Sequence, residues 1–267
     1  MELNAVVSQR IEISPELLIL RVVPDGWELP DFEAGQFGVL GLPESALRSA
    51  FADREPKTDS DKPIKRAYSI ASSSKNKEYI EFYITLVRSG KLTPRLFALK
   101  PGNRILLGKK FTGMFTLDMI EGEPNILLIG TGTGLAPYMS MLRTHLVCGG
   151  DRKFGIIHGA RHSWDLGYRS ELITLKHMCS NVTYIPIISR PKEEVTPWGG
   201  LHGYVQDAWE SSALEESWGE KPIPDNTHIF LCGGPAMIET LVSKLESVGF
   251  VEHTKKSPGN IHVERYW

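Results

Sequence analysis

Residues 125–143 read NILLIGTGTGLAPYMSMLR, an apolar strand-like run that passes through a glycine-rich turn into an apolar helix start. Such a turn lies at the carboxyl end of a strand, with a helix N-terminus directly behind it. Backbone amides and the helix dipole favour phosphate there. Gly130, Gly132 and Gly134 let amides approach an anion closely, and Pro137 suits the first helical turn. Leu135 stands where G-x-G-x-x-G would place its third glycine, so taken singly the segment equally fits an ordinary strand-to-helix junction.

Further along the chain, IFLCGGPAM at 229–237 repeats the pattern with Gly233, Gly234 and Pro235, and Cys232 closes its strand facing either core or ligand. Strands are expected at Asn125–Ile129, Lys153–His158, Val182–Ile188 and His228–Leu231, alternating with amphipathic helices. That alternation is the pattern of a parallel sheet covered on both faces. In PAMIETLVSKLESVGF, Met237, Ile238, Leu241, Val242, Leu245 and Val248 form one apolar stripe at helical spacing, and Gly249 suits the C-terminal cap. Two of the strands end in arginine, Arg161 in IIHGAR and Arg190 in IPIISR. A guanidinium makes paired charge-assisted hydrogen bonds to phosphate. Two of them beside Ser189 at one sheet edge suggest the 2'-phosphate that separates NADPH from NADH.

Towards the N-terminus the texture changes. Ala5–Ile13, Leu17–Val23, Gln36–Leu42, Ala67–Ile70 and Tyr79–Leu86 are short, apolar or alternating runs between Pro, Gly and Asp, the spacing of an antiparallel barrel. The boundary is drawn between residues 120 and 121, with a barrel domain over 1–120 and an α/β domain over 121–267. The charged and small polar residues between Pro43 and Lys65 read as a solvated loop, the segment expected to be disordered. TPRLFALK at 93–100 reads as a short helix with Thr93 as N-cap and Pro94 at the first position. In KRAYSIASSS, Arg66 and Tyr68 alternate onto one face of a strand. They supply a cation for a pyrophosphate and an aromatic face for a fused ring, and Ser69 adds a hydroxyl for a ring nitrogen.

The 267 residues carry a formal charge of -2, which argues against a nucleic-acid partner. No apolar run is long enough to span a membrane, and the start lacks the pattern of a signal peptide, so a cytoplasmic protein is expected. Cys148, Cys179 and Cys232 have no metal-ligand spacing, and no metal site or bound iron–sulfur cluster is expected.

Taken together, RAYSIAS at 66–72, the GTGTGLAP turn, HGAR, ISR, LCGGPAM and the ending HVERYW resemble bacterial ferredoxin/flavodoxin:NADP reductases over nearly the whole chain. The resemblance implies an FAD-binding barrel followed by an NADP(H)-binding α/β domain. The implied activity is electron transfer between NADPH and ferredoxin or flavodoxin. By the same likeness, Arg66, Ala67, Tyr68 and Ser69 hold FAD, with Ser69 near flavin N5, and Lys91, Leu92 and Thr93 cradle its pyrophosphate. Thr131 and Thr133 line the turn near flavin and nicotinamide, with Gly132, Gly134, Gly233, Gly234 and Pro235 shaping the NADP pocket. Arg161, Ser189 and Arg190 match positions that hold the 2'-phosphoadenosine.

Tyr266 resembles the aromatic that covers the flavin, Trp267 the one that meets the FAD adenine, and Glu264 a carboxylate near the nicotinamide. Ser69, Cys232, Glu264 and Tyr266 are therefore the implied catalytic group. In LHGYVQ at 201–206, Tyr204 replaces a third phosphate-binding arginine and resembles instead the adenine-stacking tyrosine of plant-type members, with His202 near a position often held by a basic residue. Lys62, Lys65, Lys91, Arg95, Lys109 and Lys110 are candidate docking cations for an acidic carrier protein, and a monomer is expected. Two alternatives stand beside this reading: a reductase component serving an oxygenase or cytochrome, and a flavin-binding redox module without turnover.

Overall fold

In the computed structural model, which describes residues 2–56 and 60–265, the chain divides into two compact units. One holds residues up to Leu117 together with Ala136–His145. The other holds Asp118–Leu135 and the chain from Leu146 onward.

The first unit is built on β1 (Ala5–Ser14), β2 (Leu17–Pro24), β3 (Phe37–Pro43), β4 (Pro63–Ser69) and β5 (Ile80–Thr85). The short α1 (Thr93–Leu96) and β6 (Arg104–Leu107) follow. The strands lie in the order β4-β3-β6-β1-β2-β5 with antiparallel neighbours. A bridge between Ile70 and Phe82 then joins the two edges. Closure removes the unpaired edges that would otherwise template aggregation, and the expected antiparallel barrel is what forms. Its interior is filled by Leu18, Leu20, Leu40, Ile80, Phe82, Ile84, Leu96 and Ile105, all buried.

In the second unit, β7 (Asn125–Thr131), α2 (Leu135–His145), β8 (Phe154–Ala160), α3 (Arg169–Met178) and β9 (Val182–Ile188) come first. They are followed by β10 (Leu201–His202), α4 (Val205–Glu210), α5 (Ala213–Trp218), β11 (Thr227–Gly233), α6 (Pro235–Glu246) and β12 (Ile261–Arg265). The sheet is parallel throughout, in the order β10-β9-β8-β7-β11-β12. Chain order runs one way from β7 to β10 and restarts on the other side of β7 with β11. The crevice at a reversal of this kind, outside the strand carboxyl ends, is where open α/β sheets bind ligands.

Although α2 begins in the second unit, from Ala136 onward it packs with the first. Glu81 on β5 is fully buried, yet Arg21 and Arg143 each reach its carboxylate at 2.6 Å. Arg143 also donates to the carbonyl of Ala71 at 2.8 Å, and Ser140 to that of Ser72 at 2.7 Å. A buried carboxylate is tolerable only when paired and hydrogen-bonded. Glu81 therefore ties the C-terminal part of α2 to the barrel.

Several expectations need correction. Strands β6, β10 and β12 were not among those expected. Strand β4 starts at Pro63 rather than Ala67, because Pro43 pairs with Pro63 and prolongs the β3–β4 ladder into the end of the supposed loop. The helix at 93–100 is only the single turn Thr93–Leu96, with Leu92 as its N-cap. The Thr93 hydroxyl serves Val87 instead, accepting from its N–H at 3.0 Å and donating to its carbonyl at 3.2 Å. Helix α6 ends at Glu246, so Val248 drops out of the apolar stripe and is exposed. Cys148 and Cys179, far apart in sequence, are joined as a disulfide.

The expected disordered loop is tied down over its described part. Arg95, only 3% exposed, donates from Nε to the Glu44 carbonyl at 3.2 Å and from Nη1 to the Lys91 carbonyl at 2.6 Å, and pairs with Glu55 at 3.3 Å. Arg48 pairs with Glu55 at 2.6 Å and caps the carbonyls of Gly90 at 3.0 Å and Arg88 at 3.2 Å. Arg48 of the loop is spent on carbonyls just before α1, and Glu55 on Arg48 and on Arg95 of α1 itself. That is why a composition typical of a solvated segment yields a fixed one. Arg95 thereby leaves the set of candidate docking cations.

Candidate functional site

In the first unit, β4 presents the expected constellation. Tyr68 is half-buried and meets Phe82 edge-on at 6.5 Å, and burial pushes its phenol far above the ordinary value, so the ring stays neutral. Arg66 is exposed, donates to the Lys65 carbonyl at 2.7 Å, and has no carboxylate partner among the described residues. Ser69 is buried and Ala67 exposed. A cation without a counter-ion, a half-covered aromatic face and a sheltered hydroxyl stand on one strand. Lys91 is exposed and Leu92 buried. Their segment and the start of β4 are linked through Glu44, whose N–H donates to the Lys62 carbonyl at 3.0 Å and whose carbonyl accepts from Arg95. Glu44 thus fastens the Lys91 segment to the start of β4, the strand that carries Arg66, Tyr68 and Ser69.

In the second unit the two glycine turns interlock. A Cβ on Gly134 would lie 2.3 Å from the Cys232 carbonyl oxygen, and one on Gly233 would lie 2.7 Å from Thr131 Oγ1. Gly132 takes φ +54°, a region that side chains rarely adopt, and both it and Gly234 face open space. These glycines let two strand ends touch and leave bare backbone exposed at the β7/β11 reversal. Thr131 and Thr133 stand at the opening, half-buried, with the Thr131 hydroxyl 3.7 Å from Met237 Sδ. On the neighbouring strand, register pairs Cys232 with Glu264, and the buried thiol donates to the Glu264 carboxylate at 3.4 Å. Nothing in the sequence pairs these two residues; parallel β11–β12 register does.

Arg161 and Arg190 follow the ends of β8 and β9. The Arg190 N–H donates to the Arg161 carbonyl at 2.9 Å, and the Ser189 N–H to the Ala160 carbonyl at 3.0 Å. The two cations are therefore adjacent and half-exposed. Tyr204 caps α4 beside them, because Gly203 donates its N–H to the Ile188 carbonyl at 2.9 Å. Tyr204 is 64% exposed and offers an aromatic side chain at the surface. Asp207 fixes that turn by accepting from the Tyr204 N–H at 2.7 Å. Residues not singled out from sequence join this cluster. His162 faces Asp165 at 3.2 Å through Nδ1 and Glu193 at 2.8 Å through Nε2, and Ser163 bonds Glu194 twice. Position directly after Arg161 is the only sequence signal they offered. Tyr266 and Trp267, expected to cover a flavin, lie outside the described residues.

A closed antiparallel barrel in one unit and a parallel sheet with paired glycine turns at its reversal in the other define an oxidoreductase of the nicotinamide-nucleotide-binding class. A sequence profile described as an oxidoreductase NAD-binding domain matches residues 128–243. The flavodoxin/ferredoxin–NADP reductase of Escherichia coli K12 is 31% identical over 238 residues, covering 88% of each chain. Ferredoxin–NADP reductase B of Sorangium cellulosum is 35% identical over 236 residues, covering 88% of this chain and 85% of that protein. Among solved structures, a ferredoxin NADP+ reductase from Neisseria gonorrhoeae with bound FAD and NADP superposes at TM-score 0.76, with 22% identity over 98% of this chain and 97% of its own. The chain belongs to the flavodoxin/ferredoxin–NADP reductase family.

Proposed function

We propose that this protein is an FAD-dependent reductase that carries electrons between NADPH and a ferredoxin or flavodoxin. The observation that carries the reading is the meeting of the Gly134 and Cys232 turns at the sheet reversal with a cation pair, Arg161 and Arg190, on the adjoining strand ends. Bare backbone suits a dinucleotide pyrophosphate, and two guanidiniums suit an added phosphate. The curated relatives that span the chain bear reductase names of the same kind.

Bound FAD supplies the step between a two-electron hydride donor and one-electron carriers. On the first unit, Arg66 would neutralise the FAD diphosphate, Tyr68 would lie against the fused ring, and the Ser69 hydroxyl would serve a ring nitrogen. Ala67 and the Lys91-Leu92-Thr93 segment complete that wall. Tyr266 and Trp267 belong to the same proposal, covering ring and adenine. On the second unit, Thr131, Gly132, Thr133 and Gly134 with Gly233, Gly234 and Pro235 would receive the NADP(H) backbone. Ser189, Arg190 and Arg161 would hold its 2'-phosphate and Tyr204 its adenine. The Cys232 thiol donates to the Glu264 carboxylate, and the pair would orient the nicotinamide. The division into a barrel domain to residue 120 and a nucleotide domain from 121, a monomeric state and a cytoplasmic location are parts of the same proposal. Among the described residues, no helix is long and apolar enough to cross a membrane.

An anaerobic spectrum tests it. Purified protein shows a flavin band that NADPH bleaches faster than NADH, and the reduced protein then passes electrons to added ferredoxin or flavodoxin. Colourless folded protein would sink the reading. Reduction of a cytochrome with neither carrier accepted would assign it instead to an oxygenase or cytochrome reductase component.

A further inference from the structure

The two cations of the proposed 2'-phosphate site are each held by a carboxylate, and both carboxylates converge on one imidazole. Arg161 Nε lies 3.8 Å from Asp165 Oδ2, and Arg190 Nη1 lies 3.6 Å from Glu193 Oε2. Those same two oxygens are the ones His162 approaches, at 3.2 Å through Nδ1 and 2.8 Å through Nε2. In both cases the histidine contact is the shorter, and the arginine contact exceeds hydrogen-bond length. His162 is 9% exposed and stacked on Trp164 with centroids 4.4 Å apart and planes 10° from parallel, so the ring cannot swing away from either carboxylate. The hydrogen bond from His162 is the largest influence holding the Glu193 carboxyl below its ordinary value, ahead of Arg190.

An incoming phosphate and Glu193 compete for the same guanidinium. Whatever satisfies Glu193 from its other side frees Arg190 for the ligand. We propose that His162 is a positioning residue for coenzyme specificity: by engaging Glu193 it keeps Arg190 available to the 2'-phosphate, and so sets the preference for NADPH over NADH. The proposal rests on the reading of Arg161 and Arg190 as that phosphate site. Without the imidazole, Glu193 has Arg190 as its nearest remaining cation and closes on it. The penalty then falls only on a ligand that carries the extra phosphate.

The test replaces His162 with Phe, which keeps the ring stacked on Trp164 but removes both nitrogens, alone and combined with Glu193→Gln. His162→Phe should raise the KM for NADPH by about two- to fivefold, the range of one half-exposed ion pair, with kcat and the KM for NADH unchanged. Glu193→Gln alone should lower the NADPH KM, and the double variant should regain at least the wild-type value. Calorimetric titration with 2'-AMP against 5'-AMP should show the same order without any turnover. Equal NADPH to NADH ratios in wild type, His162→Phe and Glu193→Gln would overturn the role of His162. Should His162→Phe fail to fold, Glu193→Gln with 2'-AMP decides by itself. Arg190→Ala separates the two levels: if it leaves 2'-AMP affinity untouched, the phosphate-site reading fails, whereas loss of 2'-AMP binding with an inert His162 sinks only the present proposal.

Discussion

His262 shows how far a single side chain departs from what its type suggests. It lies at the start of β12, buried, stacked on Phe230 at 4.4 Å, with its Nε2 2.9 Å from Nδ1 of His228. Burial, together with the charges of His228 and His253, lowers its pKa to about 3. His158, fully buried against Tyr184, is lowered to about 3 by burial alone. Both are neutral in the fold but titrate near 6.5 when unfolded. Their contribution is therefore complete above pH 6.5 and is lost as pH falls from there towards 3, at up to about 1.4 kcal/mol per pH unit for each ring. Urea unfolding at pH 7, 6, 5 and 4 should show this loss. His262→Phe, which keeps the stack on Phe230, should reduce its slope by about one proton. An identical slope in the variant would refute the assignment. Neither burial was legible in the sequence, where a histidine beside apolar residues fits a strand edge as well as a core.

Among the elements, the paired turns after β7 and β11 are the part of the site most legible in advance. Glycine runs at strand ends announce close backbone approach, but what they approach is not written in them. Gly134 is required because the Cys232 carbonyl sits where its Cβ would be, 106 residues being the gap that separates Thr131 from its contact Met237 across the same junction. Gly134→Ala should push the two turns apart and raise the NADPH KM by at least about tenfold, while the flavin, proposed for the first unit, is retained. An unchanged KM would place the nucleotide elsewhere. The loop after β3 was misread for the opposite reason. Its charges predict solvation, yet Arg48 is consumed by a carbonyl just before α1 and the loop's own Glu44 carbonyl takes Arg95 of α1, partners 40 to 51 residues away. Thr93 likewise looks like a cap and instead fastens Val87, because the preceding loop offers its hydroxyl a better-placed N–H and carbonyl.

For the whole molecule, the net charge of -2 conceals a local asymmetry. Lys62, Lys65, Lys91, Lys109 and Lys110 are all exposed on the first unit, with only Lys91 near a carboxylate among those pairs described, 3.9 Å from Glu44. Exposed cations steer an acidic partner and are screened by salt within about 10 Å at 0.1 M. Reduction of ferredoxin or flavodoxin should therefore fall severalfold between 50 and 500 mM salt, while reduction of a neutral dye stays level. A Lys109→Glu/Lys110→Glu double variant should weaken the carrier reaction without altering dye reduction. Insensitivity to both would remove these cations as the docking set.

The chain's own order of residues was enough to settle the two-part architecture, five of the six barrel strands, the alternation of the second unit and the RAYS and GTGTG segments, since each is a local pattern of period, turn chemistry and residue type. The pairing of Cys232 with Glu264, the seizure of Arg95 by the loop, the Arg143–Glu81 link and the His162 cluster came from folding alone. Each joins residues 31 to 62 positions apart through strand register or burial. A sequence specifies such contacts only through the packing of the whole sheet, and no local period carries them.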